Sequence, residues 1–197
     1  MTSIATGTRV RVGVLMFSIA IAAANAAEIA GVKLEDKIRV GSQELVLNGA
    51  GVRTRVFFKV YVGGLYLAEK KSTPAEVLAQ QGAKRVSMTL LRELSAEQLT
   101  EALAEGISNN HTAAEMNALK PRVDELLAVM KSIGSARTGD RITLDFLPDS
   151  GTRITLNNDA RGGAIAGEDF YRALLRIWLG DKPADADLKS AMLGQAN

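Results

Sequence analysis

Alternation of hydrophobic and polar positions in residues 32–90 predicts β-strands rather than helices. Each apolar run is short and is bounded by residues typical of turns, such as Gly41 and the Asn48-Gly49 pair. The runs that predict short strands lie at residues 32–34, 38–40, 45–47, 65–67 and 86–90. Before the last of these, residues 74–80 predict a short helix that is capped by Thr73 and begins at Pro74.

A longer alternating run, residues 52–62, predicts a single strand. Side chains change sides at each residue of a strand, so this run has an aliphatic face and a cationic, aromatic face. The aliphatic face, which we expect to meet the helices, comprises Val56, Phe58, Val60 and Val62. The opposite face comprises Arg53, Arg55, Phe57, Lys59 and Tyr61.

The middle of the chain has helix start signals. Ser95 with Gln98, and Thr112 with Glu115, have the spacing of a capping box, in which side chain and backbone satisfy each other's hydrogen bonds. Apolar residues follow each box at helical spacing. Pro121 is expected to kink or split the second helix, because proline cannot donate the helical hydrogen bond.

The C-terminal third predicts a hairpin and then two helices. The hairpin pairs residues 142–146 with residues 154–156 across a Pro148-Asp149-Ser150-Gly151 turn. An amphipathic helix is expected at residues 168–179 and a short one at residues 188–193. This order of elements predicts an α+β fold, in which one face of an antiparallel sheet is covered by a layer of helices. Strands come first, helices follow, and a hairpin and further helices end the chain.

Residues 1–26 have the features of a cleavable signal peptide. Arg9 and Arg11 precede an apolar run at residues 12–24, and Ala24-Asn25-Ala26 has the small residues that signal peptidase requires. An uncleaved anchor is the alternative, but about 13 apolar residues rise only about 20 Å as a helix, against about 30 Å of hydrocarbon. We therefore expect a periplasmic or secreted protein, with one domain at residues 27–197 and no stable membrane span after cleavage.

Charge and composition exclude several classes of function. Without the leader the chain has 22 basic and 22 acidic residues, so bulk charge indicates neither a nucleic-acid partner nor a membrane-surface patch. Cysteine is absent and His111, in a polar linker, is the single histidine, so we expect neither a metal site nor thiol chemistry. Nucleotide and phosphate-loop motifs are missing, and no cofactor is expected.

The cationic, aromatic face of residues 53–61 is the candidate ligand site. Guanidinium and ammonium groups beside flat apolar rings suit a carboxylate-bearing acyl chain or a phenolate. Two alternatives remain open: a solvated sheet face with long side chains reaching water, or an Arg53 that fixes a strand turn by pairing with a carboxylate.

Several motifs, in this order, resemble those of chalcone isomerase-like proteins. Residues 49–53 (GAGVR) and 57–67 (FFKVYVGGLYL) resemble the family's paired-strand motif. Residues 94–99 (LSAEQL) resemble the start of its central helix, and residues 173–180 (ALLRIWLG) resemble its late helix. The ending at residues 178–183 (WLGDKP) is similar to the bacterial, exported branch of the family.

The resemblance implies an open-faced β-sandwich with a ligand cleft between the sheet and the helices. Plant isomerases of the family close a flavanone ring, using an arginine, a threonine, a tyrosine and an asparagine. Their arginine matches Arg53, whereas the other three positions fall on Tyr61, Leu99 and Gly106. A late-helix position that tunes substrate choice falls near Tyr171.

This comparison favours binding over catalysis, since Leu99 and Gly106 have no side-chain hydrogen bond to give to a developing enolate. We expect a non-catalytic protein whose ligand site contains Arg53, Tyr61, Leu99 and Tyr171 and takes a fatty acid or an aromatic carboxylate or phenolate. One alternative is an isomerase or intramolecular lyase in which Arg53 is catalytic, with Tyr61 or Tyr66 as donor. Another is an envelope interaction module without a small ligand, and the oligomeric state is not predicted.

Overall fold

The computed structural model of the protein describes residues 26–195. Residues 1–25 of the predicted signal peptide therefore lie outside the described residues. Among residues 26–195, no helix combines the length and the apolar character needed to cross a bilayer.

Within residues 26–195, nine strands form two antiparallel sheets. A hairpin of β1 (Ala26–Ile29) and β2 (Val32–Glu35) makes the small sheet. The large sheet has seven strands in chain order, so each strand pairs with the next. These strands are β3 (Lys37–Val40), β4 (Gln43–Arg55), β5 (Phe58–Leu67), β6 (Lys84–Leu90), β7 (Arg141–Leu147), β8 (Gly151–Leu156) and β9 (Asp159–Ile165). The predicted strands at residues 32–47 and 86–90 and the predicted β7–β8 hairpin are confirmed.

Five helices accompany the sheet in the described part of the chain, and the predicted capping signals begin three of them. The helices are α1 (Pro74–Ala79), α2 (Ala96–Ser108), α3 (Ala113–Ser132), α4 (Glu168–Leu179) and α5 (Ala186–Met192). Both bonds of a capping box form at the start of α1, α2 and α3, through Thr73, Ser95 and Thr112. Each box satisfies backbone N–H groups that the first turn leaves free.

The main core lies between the large sheet and the helices, and α4 is its central helix. Eight of the twelve residues of α4 are buried, including Phe170 and Trp178. Gly106 lets α2 approach α4 closely, because a Cβ at this position would lie 2.8 Å from Ile177 Cγ2. The α+β prediction, with helices layered on an antiparallel sheet, is confirmed.

The prediction of one strand at residues 52–62 is wrong. The chain reverses after Arg55, with Val56 and Phe57 as the two turn residues, and Arg55 pairs with Phe58. Residues 53–55 therefore belong to β4, whereas Phe58 begins β5. Neither turn residue is one that favours turns, and for that reason the reversal left no signal in the sequence.

The side of this hairpin that meets the helices is only partly the predicted one: Val60 belongs to the main core, as predicted, but so does Tyr61. Tyr61, Leu65 and Leu67 of β5 belong to the main core, together with residues of α4. Tyr66 packs in a separate cluster with Val40, Leu45 and Ala83. The Tyr61 side therefore faces the helices, where the sequence pattern had placed the side of Val62.

Two further predictions need correction. Helix α3 is not split at Pro121 but continues to Ser132. Pro121 and Asn117, whose carbonyl loses its hydrogen-bond partner, both lie on the exposed side of the helix, where water can replace the bond. Strand β9 was missed because its sequence, DARGGAI, contains two adjacent glycines and little alternation.

The Asn48-Gly49 pair is a β-bulge inside β4 rather than the end of a strand. The pairing with β5 shifts between Leu47 and Gly49, which turns the Asn48 side chain out of the ladder. Asn48 is buried, and its Nδ2 donates to the carbonyls of Lys71 and Met192 at 2.9 and 2.7 Å. Its Oδ1 accepts from Lys71 N–H at 2.7 Å, so one side chain joins β4, the segment after β5 and α5.

Replacing Asn48 should therefore destabilise the fold. Asn48→Ala removes three hydrogen bonds and leaves buried backbone groups unpaired, so we expect the free energy of unfolding to fall by about 2–4 kcal/mol. Urea unfolding followed by circular dichroism measures the change. The matched control is Asn117→Ala on the exposed side of α3, for which we expect a change within about 0.5 kcal/mol. Equal losses in the two variants would contradict this role.

All three tyrosines of the chain are buried: Tyr61, Tyr66 and Tyr171 are 5%, 4% and 1% exposed. Burial raises the pKa of each phenol, because the charged phenolate is poorly solvated inside the protein. For Tyr66 the pKa is raised to about 12. The folded protein therefore holds these protons at a pH where the unfolded chain releases them.

We expect no tyrosine of the folded protein to ionise with the ordinary pKa of about 10. The favourable contribution of the protonated phenols is fully present below pH about 10 and is lost as the pH rises from there toward the folded-state pKa values. A tyrosinate absorbance titration, compared with one in denaturant, measures the difference. Tyrosinate appearing near pH 10, while circular dichroism still shows the native fold, would contradict the burial of these rings.

Candidate functional site

A cavity of about 290 Å³ lies between the large sheet and helices α2 and α4. Its walls are mostly apolar and come from β4, β5, β6, β7 and three helices. Among the apolar residues that line it are Leu90, Leu99, Leu103, Met130, Ile142 and Trp178. This volume is at the small end of the range for small-molecule sites.

Arg53 lines this cavity and faces the helices. Arg53 of β4 pairs with Tyr61 of β5, so the two residues are neighbours on the inner side of the sheet. The Arg53 guanidinium carbon lies 5.6 Å from the centre of the Tyr61 ring, over its face. Arg53 is half-buried, and its Nε is buried without a hydrogen-bond partner.

Arg53 makes no ion pair within residues 26–195. A nearby carboxylate, Asp185, accepts instead from Thr54 N–H at 2.8 Å and from Leu188 N–H at the start of α5. The alternative in which Arg53 fixes a strand turn by pairing with a carboxylate is therefore not supported. Its charge is left free for another anion.

Tyr61 is held in place by Trp178 of α4. The indole Nε1–H of Trp178 donates to the Tyr61 hydroxyl oxygen at 2.8 Å. Burial raises the pKa of Tyr61, while the charge of Arg53 lowers it by a smaller amount, so the phenol remains protonated at neutral pH. Since Trp178 uses the hydroxyl as an acceptor, the proton of Tyr61 can be donated to a ligand.

A smaller, more polar recess of about 160 Å³ adjoins Arg53. Arg55 and Lys182 also line it, and Glu105 supplies a carboxylate. Three cations and one carboxylate therefore surround this end of the site, which favours an anionic group there. The apolar cavity and this recess together can hold an apolar body with a charged head.

Helix α2 brings Leu99 into the cavity and places Gln98 at its rim. Leu99 is buried and lines the wall of the cavity. Gln98 also lines the cavity, although its Oε1 accepts from Ser95 N–H in the capping box. The capping-box spacing predicts only the capping role of Gln98, and no pattern in the sequence indicates its place at the cavity.

Two positions that hold hydrogen-bonding residues in the family's isomerases are apolar here. Leu99 offers no hydrogen bond, and Gly106 has no side chain. The contact of Gly106 with Ile177 leaves no room for an asparagine in this arrangement of α2 and α4. The described cavity thus keeps the arginine and lacks these two partners.

Tyr171 and Tyr66 lie away from the cavity. The Tyr171 hydroxyl donates to the carbonyl of Leu144 at 2.9 Å, and its ring stacks on Phe146 with centroids 5.3 Å apart. Tyr66 belongs to the cluster on the opposite side of the sheet. The structure therefore brings together Arg53, Tyr61 and Leu99 of the predicted site, and it does not bring Tyr171 to them.

His111 lies in the α2–α3 connection, with Nδ1 2.8 Å from the carbonyl oxygen of Ile107. In the part of the chain that the structure describes, no group of three or more potential ligand side chains is placed to hold a metal ion.

The fold is similar to that of a solved plant protein. The crystal structure of the Arabidopsis thaliana fatty-acid binding protein AtFAP1 superposes with a TM-score of 0.67. The match covers 86% of this chain and 96% of that chain, at 13% sequence identity. Among curated protein sequences, none matches the chain significantly.

The superposition confirms the predicted fold, an antiparallel sheet curled into a half-barrel with helices, as in chalcone isomerase-like proteins. A family model described as chalcone isomerase-like matches residues 26–194, which is nearly the whole described chain. The protein therefore belongs to the chalcone isomerase-like family.

Proposed function

We propose that the protein binds a small apolar carboxylic acid, such as a fatty acid or an aromatic carboxylate, without converting it. Arg53 holds the carboxylate, Tyr61 donates a second hydrogen bond, and Leu99 and its apolar neighbours enclose the tail. The observation that carries this proposal is the guanidinium of Arg53, which is unpaired, half-buried and open to an apolar cavity. A charge in such a place is costly unless an anion accompanies it.

Three features support this assignment. The cavity walls are apolar, while the recess beside Arg53 is cationic, so head and tail have separate surroundings. The ring of Tyr61, whose hydroxyl is bound by Trp178, lies beside Arg53 at the cavity. The structurally similar plant protein is itself named a fatty-acid binding protein. The small cavity volume favours short or medium chains and single aromatic rings over long acyl chains.

The site of action is part of the proposal. Residues 1–26 have the features of a leader, and the family match begins at residue 26, where that leader ends. We infer that the protein works in the periplasm or outside the cell, as in an exported bacterial branch of the family. Pulse labelling of the full-length chain in a bacterial host, followed by mass spectrometry of the N-terminus, tests whether residue 27 becomes the first residue.

Neutralising Arg53 should weaken ligand binding. Hydrogen bonds to a charged group contribute about 1.5–3 kcal/mol, so we expect Arg53→Gln to lower the affinity for dodecanoate or cinnamate by about 10-fold to 150-fold. Calorimetry measures the affinity. The affinity for methyl dodecanoate, which lacks the charge, should change little in Arg53→Gln. The matched control is Arg39→Gln, an exposed arginine of β3 outside the cavity, which should bind as the parent does. Unchanged affinity in Arg53→Gln would contradict the assignment.

The competing function is an isomerase or intramolecular lyase in which Arg53 and Tyr61 stabilise an oxyanion. The two residues are adjacent, and a tyrosine is a competent donor. We expect no catalysis of naringenin chalcone closure, because Leu99 and Gly106 supply none of the additional donors that the reaction needs. Loss of chalcone absorbance faster than in buffer, and abolished by Arg53→Gln, would establish an enzyme instead.

The third possibility is an interaction module without a small ligand. Native mass spectrometry of protein recovered from its own envelope separates the two kinds of function. A retained acid or lipid supports the binding proposal. A retained protein partner, with no saturable binding of the acids above, would overturn it.

A further inference from the structure

The tip of the β4–β5 hairpin is an exposed apolar cluster. We call Val56, Phe57 and Phe58 the hairpin tip; they are 77%, 90% and 60% exposed. Among residues 26–195, these are the large hydrophobic residues that are exposed, and they are consecutive. Single exposed hydrophobic residues are ordinary, whereas a contiguous group of them marks a contact surface.

The backbone conformation of the hairpin tip does not favour valine at position 56. Val56 has a φ of 60°, in the left-handed region that β-branched residues rarely adopt. Two-residue turns of a hairpin ordinarily use glycine or asparagine at such positions, because these residues adopt a positive φ with less strain. Val56 thus makes the turn less stable, and both residues make it apolar, which points to a function for their side chains.

Unpaired cations surround the hairpin tip. Arg53, Arg55 and Lys59 lie on the same hairpin, and the Arg92 guanidinium carbon lies 5.0 Å from the centre of the Phe58 ring. None of these four cations makes an ion pair with a carboxylate of the described chain. Residues 49–68 contain no acidic residue, although the mature chain as a whole is neutral. The positive charge is therefore concentrated here.

The hairpin tip also forms part of the mouth of the cavity. Arg55, Val56, Phe58 and Arg92 line the cavity, whereas Phe57 does not. On the α2 side of the mouth, the exposed Glu101 is the facing carboxylate. An acyl chain leaving the cavity at this end would meet the apolar side chains of the tip next.

We propose that the hairpin tip inserts into the surface of an anionic lipid bilayer, so that the cavity mouth opens directly onto the membrane. Val56, Phe57 and Phe58 enter the boundary between headgroups and acyl chains, and Arg55, Lys59 and Arg92 bind the anionic headgroups. Exposed apolar residues within a ring of cations complement such a surface in both hydrophobicity and charge. That the ligand passes through this contact rests on the function proposed above, whereas docking itself does not.

Vesicle sedimentation tests the docking. The protein should partition onto phosphatidylcholine vesicles that contain phosphatidylglycerol, and only weakly onto pure phosphatidylcholine, with added salt weakening the binding. Phe57→Ser should lower partitioning at least tenfold. Arg55→Gln/Lys59→Gln should lower it by about 25-fold, since each cation near an anionic surface contributes about fivefold. The matched control, Lys33→Gln/Arg39→Gln, removes the same charge from exposed positions away from the tip and should bind as the parent does.

Two outcomes would overturn the proposal. One is partitioning of Phe57→Ser or of the Arg55/Lys59 variant equal to that of the parent. The other is a dimer in analytical ultracentrifugation that depends on Phe57, without vesicle binding, which would mean that a second copy of the chain covers the tip.

Failure of docking is distinguishable from failure of the ligand proposal. Because Phe57 does not line the cavity, Phe57→Ser should bind dodecanoate in solution as the parent does while losing vesicle partitioning. Vesicle partitioning without any acid binding would overturn the ligand function and leave membrane docking in place. Acid binding without vesicle partitioning would overturn membrane docking and leave the ligand function in place.

Discussion

The pairing register of β4 with β5 is the constraint on which the site depends. Arg53 lies opposite Tyr61, so both side chains are on the side of the sheet that faces the helices. Side chains change sides at each residue of a strand, so this placement depends on the register. A slip of one residue would turn the guanidinium outward and bring Thr54 or Val52 inside. The register shift after Arg53 places one extra residue, Val60, in β5, so that Thr54 pairs with Lys59 while Arg53 stays opposite Tyr61. The charge of the cavity therefore follows from a backbone alignment.

Much of the fold could be predicted because its signals are local. Capping boxes need only four residues, and Ser95 and Thr112 each begin a helix where the pattern places it. Helix α4 spans Glu168–Leu179 as its apolar periodicity predicts. The family motifs could also place Arg53 and Leu99 in a cleft, since the order of elements in the family fixes which strands and helices face each other.

Features that depend on contacts between distant parts of the chain could not be predicted from local patterns. The reversal at Val56 and Phe57 has no turn residue, so apolar alternation ran through it and assigned Phe58 to the interior. The Asn48-Gly49 pair predicts the end of a strand, whereas the Asn48 side chain hydrogen-bonds to remote segments, among them that of Met192. Likewise, the family resemblance at Tyr171 does not predict that its hydroxyl donates a hydrogen bond to the Leu144 carbonyl. Such partners are distant along the chain, and no local pattern encodes them.

The close approach of α2 to α4 at Gly106 limits what this position can contribute to the site. Any side chain at position 106 meets Ile177, so a polar residue cannot be placed there by changing that position alone. The two helices would first have to separate, or Ile177 would have to become smaller, and either change loosens the packing beside Trp178 that holds Tyr61. The packing density of the helical layer therefore limits which chemical groups this end of the site can offer.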